Sequence, residues 1–211
     1  MNEIHNIEDW NYLLNKHNKT EDDFLQIAQS YEIGLTFDNS LKINQNYEKA
    51  FEWYLKGSIY DYCKIRVADF LSEGLGCEKD LQKSIQLYNE LISKNNSVAA
   101  FNLSTIYRDN NDYNKSFGLL NKIYEIDNLY PIELAFYFLY GIGTQINKEK
   151  SKEIFLKIKE NSKNYSEYEI EQANYQLAIF HIEKSEIQNA RNLLLENDNE
   201  YSNDLLNIIG R

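Results

Sequence analysis

Two short turns in this chain, Gly74-Leu75-Gly76 and Gly141-Ile142-Gly143, have the G-x-G form that can lay backbone N–H groups against a phosphate. Neither sits between a strand-like run and a helix, and neither is followed by a phosphate-loop lysine. Each lies ten residues before a small residue, Ser84 or Ser151, in the helical segment that follows. That recurrence points to a helix-ending turn in the left-handed conformation, which suits glycine. Three histidines, His5, His17 and His181, show no H-x-x-x-H spacing, and Cys63 and Cys77 form no C-x-x-C pair, so no metal site is expected. The two cysteines bracket a helical segment about 18 Å long at 1.5 Å per residue, too far apart to bond to each other. No Ser-His-Asp order, H-E-x-x-H or nucleophile elbow is present. The acidic runs Asp22-Asp23 and Glu167, Glu169, Glu171 suit helix starts better than an acid/base pair. The residues capable of chemistry therefore predict neither an enzyme nor a cofactor.

What positions these residues follows from composition. The 211 residues are 43% apolar, enough to bury a sizeable core, and one proline with eight glycines suits helices joined by short turns. The net charge is −11, which argues against general affinity for nucleic acid or an anionic membrane and favours a partner with a basic surface. Charge is uneven. Residues 1–57 hold five basic and ten acidic residues, 58–163 fourteen of each, and 164–211 three and nine. The lysines at 148, 150, 152, 157, 159 and 163 are expected on a solvated helix face. With no basic-then-apolar leader in Met1 to Asp23, no long apolar run and only two cysteines, a cytoplasmic setting is expected.

One pattern repeats along the chain: an anchor residue, a small residue three positions later, then an apolar pair. It reads Tyr47, Ala50, Trp53-Tyr54; Leu81, Ser84, Leu87-Tyr88; Tyr113, Ser116, Leu119-Leu120; Lys148, Ser151, Ile154-Phe155; and Ile187, Ala190, Leu193-Leu194. Upstream of each lies an apolar-then-small pair: Ile27-Ala28, Val67-Ala68, Leu103-Ser104, Leu134-Ala135 and Leu177-Ala178. All have helical spacing, and a missing side chain on the buried stripe lets a second helix approach closely. The pattern predicts five antiparallel helix pairs that bury their apolar faces on one another. The expected architecture is all-α: a right-handed α-solenoid forming one domain over 1–211. Residues 1–20 and 198–211 are caps, and the repeats cover 21–58, 59–95, 96–128, 129–164 and 165–197. Tyr31, Tyr47, Tyr54, Tyr88, Tyr107 and Tyr113 fall on expected core positions.

The second repeat (Val67-Ala68, Leu71, Glu73-Gly74-Leu75-Gly76, Asp80, Ser84) and the fourth (Leu134-Ala135, Phe138, Tyr140-Gly141-Ile142-Gly143, Asn147, Ser151) resemble Sel-one-like repeats. These are relatives of tetratricopeptide repeats with a longer, glycine-containing turn. The third and fifth copies are similar to plain tetratricopeptide repeats, and the first is a degenerate copy with an extended turn from Phe37 to Asn46. The resemblance spans about residues 21 to 196. It implies a protein-binding or adaptor role; the cysteine-rich members' disulfide in each repeat has no counterpart here.

In stacked pairs the first helices line a concave groove, and their spacing nominates the side chains that face a ligand. These are Gln29 and Glu32; Tyr62, Asp69 and Ser72; Thr105 and Arg108; Phe136 and Leu139; and Tyr175 and Ile179. Leu25, Ile65, Phe101, Ile132 and Ile182 share the same spacing, with inter-helix packing as the competing role of the apolar members. The expected function is non-enzymatic binding of a protein partner with a basic surface by a monomeric chain. Small acidic proteins of this kind resemble bacterial immunity proteins that neutralise a cognate toxin. A regulatory or scaffolding adaptor in signalling or secretion is the alternative, and a helical-repeat hydrolase the further one.

Overall fold

The computed structural model describes residues 4–37 and 41–210. Glu3 of the acidic N-terminus, residues 38–40 of the extended turn and Arg211 of the C-terminal cap lie outside them. Twelve α-helices are present among the described residues: α1 Ile7–Asn15, α2 Glu21–Ile33, α3 Tyr47–Lys56, α4 Asp61–Glu73, α5 Leu81–Ile92, α6 Ser97–Asp109, α7 Tyr113–Asp127, α8 Ile132–Tyr140, α9 Lys148–Glu160, α10 Glu167–Glu183, α11 Ile187–Leu194 and α12 Glu200–Ile208. The chain forms two compact units, residues 1–102 and 103–211, divided within α6.

Helix starts are fixed chemically. In four repeats the second helix begins at an Asn or Asp whose side chain accepts from the backbone N–H three residues on: Asn46 from Lys49, Asp80 from Lys83, Asp112 from Lys115 and Asn147 from Lys150. Such a cap satisfies an otherwise orphaned donor and contributes about 1 kcal/mol. Thr20 with Asp23 and Ser166 with Glu169 form capping boxes at α2 and α10. Gly74 and Gly141 end α4 and α8 in the left-handed region, at φ 79° and 70°. In the third and fifth repeats, whose turns are shorter, Asn111 and Ser185 adopt φ 61° at the corresponding bend.

The small residues lie where helices meet. Ala50, Ser84, Ser116, Ser151 and Ala190 of the second helices are all but inaccessible, as are Ala28, Ala68, Ser104, Ala135 and Ala178 of the first. In unit 1 the core gathers Ala28, Ala50, Tyr54, Cys63, Val67, Phe70 and Leu71, with Tyr54 edge-on to Phe70 at 5.3 Å. Burying each such large side chain contributes about 2–3 kcal/mol. Helix α1 covers the end of the first pair through Trp10 and Leu13, which pack on Ile27. In unit 2, Ala178, Ala190, Leu194 and Leu206 join α10, α11 and α12.

Three features depart from expectation. Residues within and just before the extended turn form two short antiparallel strands, β1 Leu35–Phe37 and β2 Leu41–Ile43, pairing Leu35 with Ile43. Leu35 and Ile43 pack against the Trp10 cluster, and this burial selects the extended conformation. Tyr47 and Tyr113, placed in the core by the repeat pattern, are 38% and 40% exposed. Each is the first residue of its helix, where its backbone makes the closest approach to a glycine turn; the Tyr47 ring lies only at the edge of Phe70, 6.2 Å away. A Cβ on Gly76 would lie 2.2 Å from the Tyr47 carbonyl carbon, and one on Gly143 would lie 2.1 Å from the Tyr113 oxygen. Lastly, Ile65 and Ile132 are buried at 3% and 5%, so they belong to the core and not to a ligand face.

Candidate functional site

In unit 1 the nominated acids are tied into one network. Arg66 on α4 donates from Nη2 to Glu32 Oε1 on α2, and from Nη1 to Asp69 Oδ2, one helical turn away, at 2.7 Å. The Tyr54 hydroxyl, from α3, donates to Glu32 Oε2 at 2.6 Å, and the Tyr88 hydroxyl, from α5, donates to Asp69 Oδ1. Asn102 Nδ2 adds a bond to Asp69 Oδ1 at 3.1 Å. All four carboxylate oxygens thus have protein partners, and Glu32 and Asp69 side chains are only 21% and 19% exposed. The Arg66 guanidinium also lies 5.5 Å from the Tyr54 ring centre and 5.4 Å from that of Phe70. Burial alone would lower the Arg66 pKa, but the Tyr54 bond and the charges of Glu32 and Asp69 outweigh it and raise it. Burial and then the neighbouring carboxylates push the Tyr54 and Tyr88 phenols well above their ordinary range. Around this fixed cluster, Gln29 and Tyr62 are exposed, and half-buried Ser72 donates to the Asp69 carbonyl at 2.7 Å.

In unit 2, Arg108 is 44% exposed and pairs with adjacent Asp109 at 3.1 Å, while Thr105 is half-buried. Phe136 and Leu139 on α8 are half-buried. The Phe136 ring is nearly parallel to that of Tyr140 at 6.3 Å and edge-on to Phe155 at 5.3 Å. Tyr175 packs into the α10–α12 core, and Ile179 is half-buried on α10.

The position immediately before each apolar-small pair escaped the spacing argument. It reads Gln26, Arg66, Asn102, Glu133 and Gln176, polar in all five copies. Two of these side chains, Arg66 and Asn102, carry the unit 1 network. Glu133 is a half-buried carboxyl in unit 2, where burial raises its pKa and Glu169 adds to the rise, while a bond from its own backbone N–H and the charge of Arg108 oppose it. Five polar residues out of five beside a core pair is the signal that would have found them.

The remaining candidates are engaged locally. His181 Nδ1 bonds Glu186, which holds the Glu186 carboxyl below its ordinary pKa. Cys63 and Cys77 are free thiols; burial, aided by Glu21, pushes Cys63 up to about 12, so it is a poor nucleophile. Lys148, Lys150 and Lys157 pair with Glu183, Glu153 and Glu160 at 2.9, 3.0 and 2.9 Å, and Lys159 pairs with Glu196. Among the described residues, no group of three or more His, Cys, Asp or Glu could hold a metal, and no helix is long and apolar enough to cross a membrane.

Stacked antiparallel helix pairs with glycine turns define a helical-repeat protein. Three of the copies are similar to Sel1 repeats: the family model described as Sel1 repeat matches residues 30–58, 62–96 and 132–161, in the first, second and fourth pairs. Among solved structures, the fold is similar to a Sel1 repeat protein from Oxalobacter formigenes (TM-score 0.66, 14% identity, covering 94% of this chain and 82% of that one). It is also similar to c5321, a protective antigen of uropathogenic Escherichia coli strains with an SLR fold (TM-score 0.60, 18% identity, 89% of this chain and 39% of that one). No curated protein matches the chain in sequence.

Proposed function

We propose that this chain is a non-enzymatic binding module that holds a protein partner against the faces of its first helices. The observation that carries this reading is the Glu32–Arg66–Asp69 network. It fixes a charged surface on rigid helices, with Gln29 and Tyr62 exposed around it. Such preorganisation lowers the ordering cost of association. The matching Sel1 repeats support it, because repeats of this kind commonly serve protein interaction.

The net charge of −11 favours a partner with a basic surface, since complementary potentials raise the encounter rate. Within this reading, a bacterial immunity protein that neutralises a cognate toxin fits the acidity best, and a scaffolding adaptor is the coarser version. The free thiols suit a reducing cytoplasm. The test uses the intact chain as affinity bait in its native cells, followed by co-expression with the captured protein. One basic protein should be enriched, lost with Gln29→Lys or Tyr62→Ala, and should be toxic unless this chain is present. A captured protein with no toxicity would leave the adaptor reading. Capture indifferent to every first-helix substitution would overturn the site.

A further inference from the structure

A cavity of about 470 Å³ opens in unit 1 beside the glycine turn of the second repeat. Its apolar lining comes from Phe51 and Leu55 on α3 and from Val67 and Leu71 on α4. Val67 and Leu71 belong to the core, while Leu55 is exposed. The rim carries both signs of charge, with Glu78 and Asp80 beside Lys79 and Lys83. Asp80 is already engaged, its Oδ1 accepting the Lys83 backbone N–H at 2.9 Å. Among the described residues, the side chains of Glu78, Lys79 and Lys83 form no ion pair.

The fourth repeat shows what the equivalent space accepts. Leu71 stands three residues past Ala68 as Phe138 stands three past Ala135, and Phe51 follows Ala50 as Phe117 follows Ser116. In unit 2 the Phe138 ring meets that of Phe117 edge-on at 5.3 Å. In unit 1 the shorter Leu71 and the Phe51 ring face the cavity instead. An aromatic ring entering there regains the edge-on contact and buries apolar surface, while the unpaired charges at the mouth call for a ligand bearing both a carboxylate and an ammonium. We propose that this cavity binds a free aromatic α-amino acid, its ring against Phe51 and Leu71, its carboxylate on Lys79 and Lys83, and its ammonium on Glu78. An apolar floor with a few polar groups at the mouth is the usual make-up of a small-molecule site, and this volume falls within the usual range. The site uses none of the Arg66 cluster and does not depend on a protein partner.

Cys77 supplies the readout: it is a free, half-buried thiol on the cavity wall, whereas Cys63 is fully buried. Alkylation of the full chain by N-ethylmaleimide, located by mass spectrometry, is followed with and without L-phenylalanine, and calorimetry gives the affinity. Saturating phenylalanine should slow Cys77 labelling. Phenylpropanoate, phenethylamine and alanine, which lack the ammonium, the carboxylate and the ring in turn, should each bind about ten-fold or more weakly. Leu71→Phe, which installs the residue of the fourth repeat, should abolish binding while helix content and cooperative unfolding stay unchanged. Lys79→Gln combined with Lys83→Gln, on the rim and outside the core, should weaken phenylalanine and phenylpropanoate but not phenethylamine. Three results would overturn the proposal: no saturable effect of phenylalanine on Cys77, equal binding of phenylalanine and any of the three partial ligands, or binding that survives Leu71→Phe or the double lysine change. None of them touches the bait experiment, so this site and the protein-binding reading fail separately.

Discussion

The hydroxyls of Ser116 and Tyr137 lie 2.8 Å apart in a buried contact that joins the second helix of the third pair to the first helix of the fourth. Ser84 and Ser151 occupy the position equivalent to Ser116, yet their hydroxyls have no hydrogen-bond partner. One small site therefore serves two purposes. At Ser116 the hydroxyl is used; at the other two, small size alone is.

Alanine substitution separates these roles. Ser116→Ala should destabilise by about 1–2 kcal/mol, because it strands the Tyr137 phenol in the core. Ser84→Ala and Ser151→Ala should be neutral or stabilising by up to about 1 kcal/mol, since each removes an unsatisfied buried group. Chemical denaturation of the three variants reads both signs. A uniform loss at all three would refute the distinction.

Arg66→Met should cost about 2–3 kcal/mol, leaving two part-buried carboxylates facing each other without a counter-charge. Combining it with Glu32→Gln should recover part of that loss, and a double-mutant cycle measures the coupling. Removing the exposed Lys122–Glu125 pair, by contrast, should change stability by less than about 0.5 kcal/mol. Equal effects at the two pairs would show that the network does not bind the first two repeats together.

Much of the repeat frame was legible in advance because small residues at helical spacing report close helix approach directly. The polar face was less so. Glu32 and Asp69 fall on the ligand-facing spacing, and their partners Tyr54, Tyr88 and Asn102 are 22, 19 and 33 residues away, beyond the reach of local spacing. The strand pair was missed for another reason. Leu35-Thr36-Phe37 and Leu41-Lys42-Ile43 do alternate, but runs of three residues carry little weight beside helices of ten or more.

Glycine substitutions should differ in sign by location. Gly76→Ala and Gly143→Ala combine positive φ with a collision against the backbone of another helix, and each should cost about 2–4 kcal/mol. Gly118→Ala lies inside α7 with open space around it, so it should stabilise by about 0.5–1 kcal/mol through helix propensity. Thermal unfolding of the three variants checks the order, which fails if Gly118→Ala is the most damaging.

Glu133 should leave a signature in the pH dependence of stability. A carboxyl whose pKa is raised by folding holds its proton more tightly in the native state. Its ionisation therefore opposes folding, with no penalty below the ordinary carboxylate pKa and a full penalty above the raised one. Glu133→Gln should accordingly stabilise at pH 7 by up to about 1 kcal/mol, the gain shrinking toward zero below about pH 4. Paired denaturation curves across that range test it. A gain that persists unchanged in acid would mean that burial of the charge is not its origin.

The seam at Gly76 and Gly143 has a further consequence. Each glycine meets the main chain at the start of an earlier helix, not the ring of Tyr47 or Tyr113, so the joint is made of atoms common to every amino acid. At these two joints the contact asks nothing of the side chain at position 47 or 113. That side chain can change its letter, and the outward face it presents, while the same two backbones stay touching.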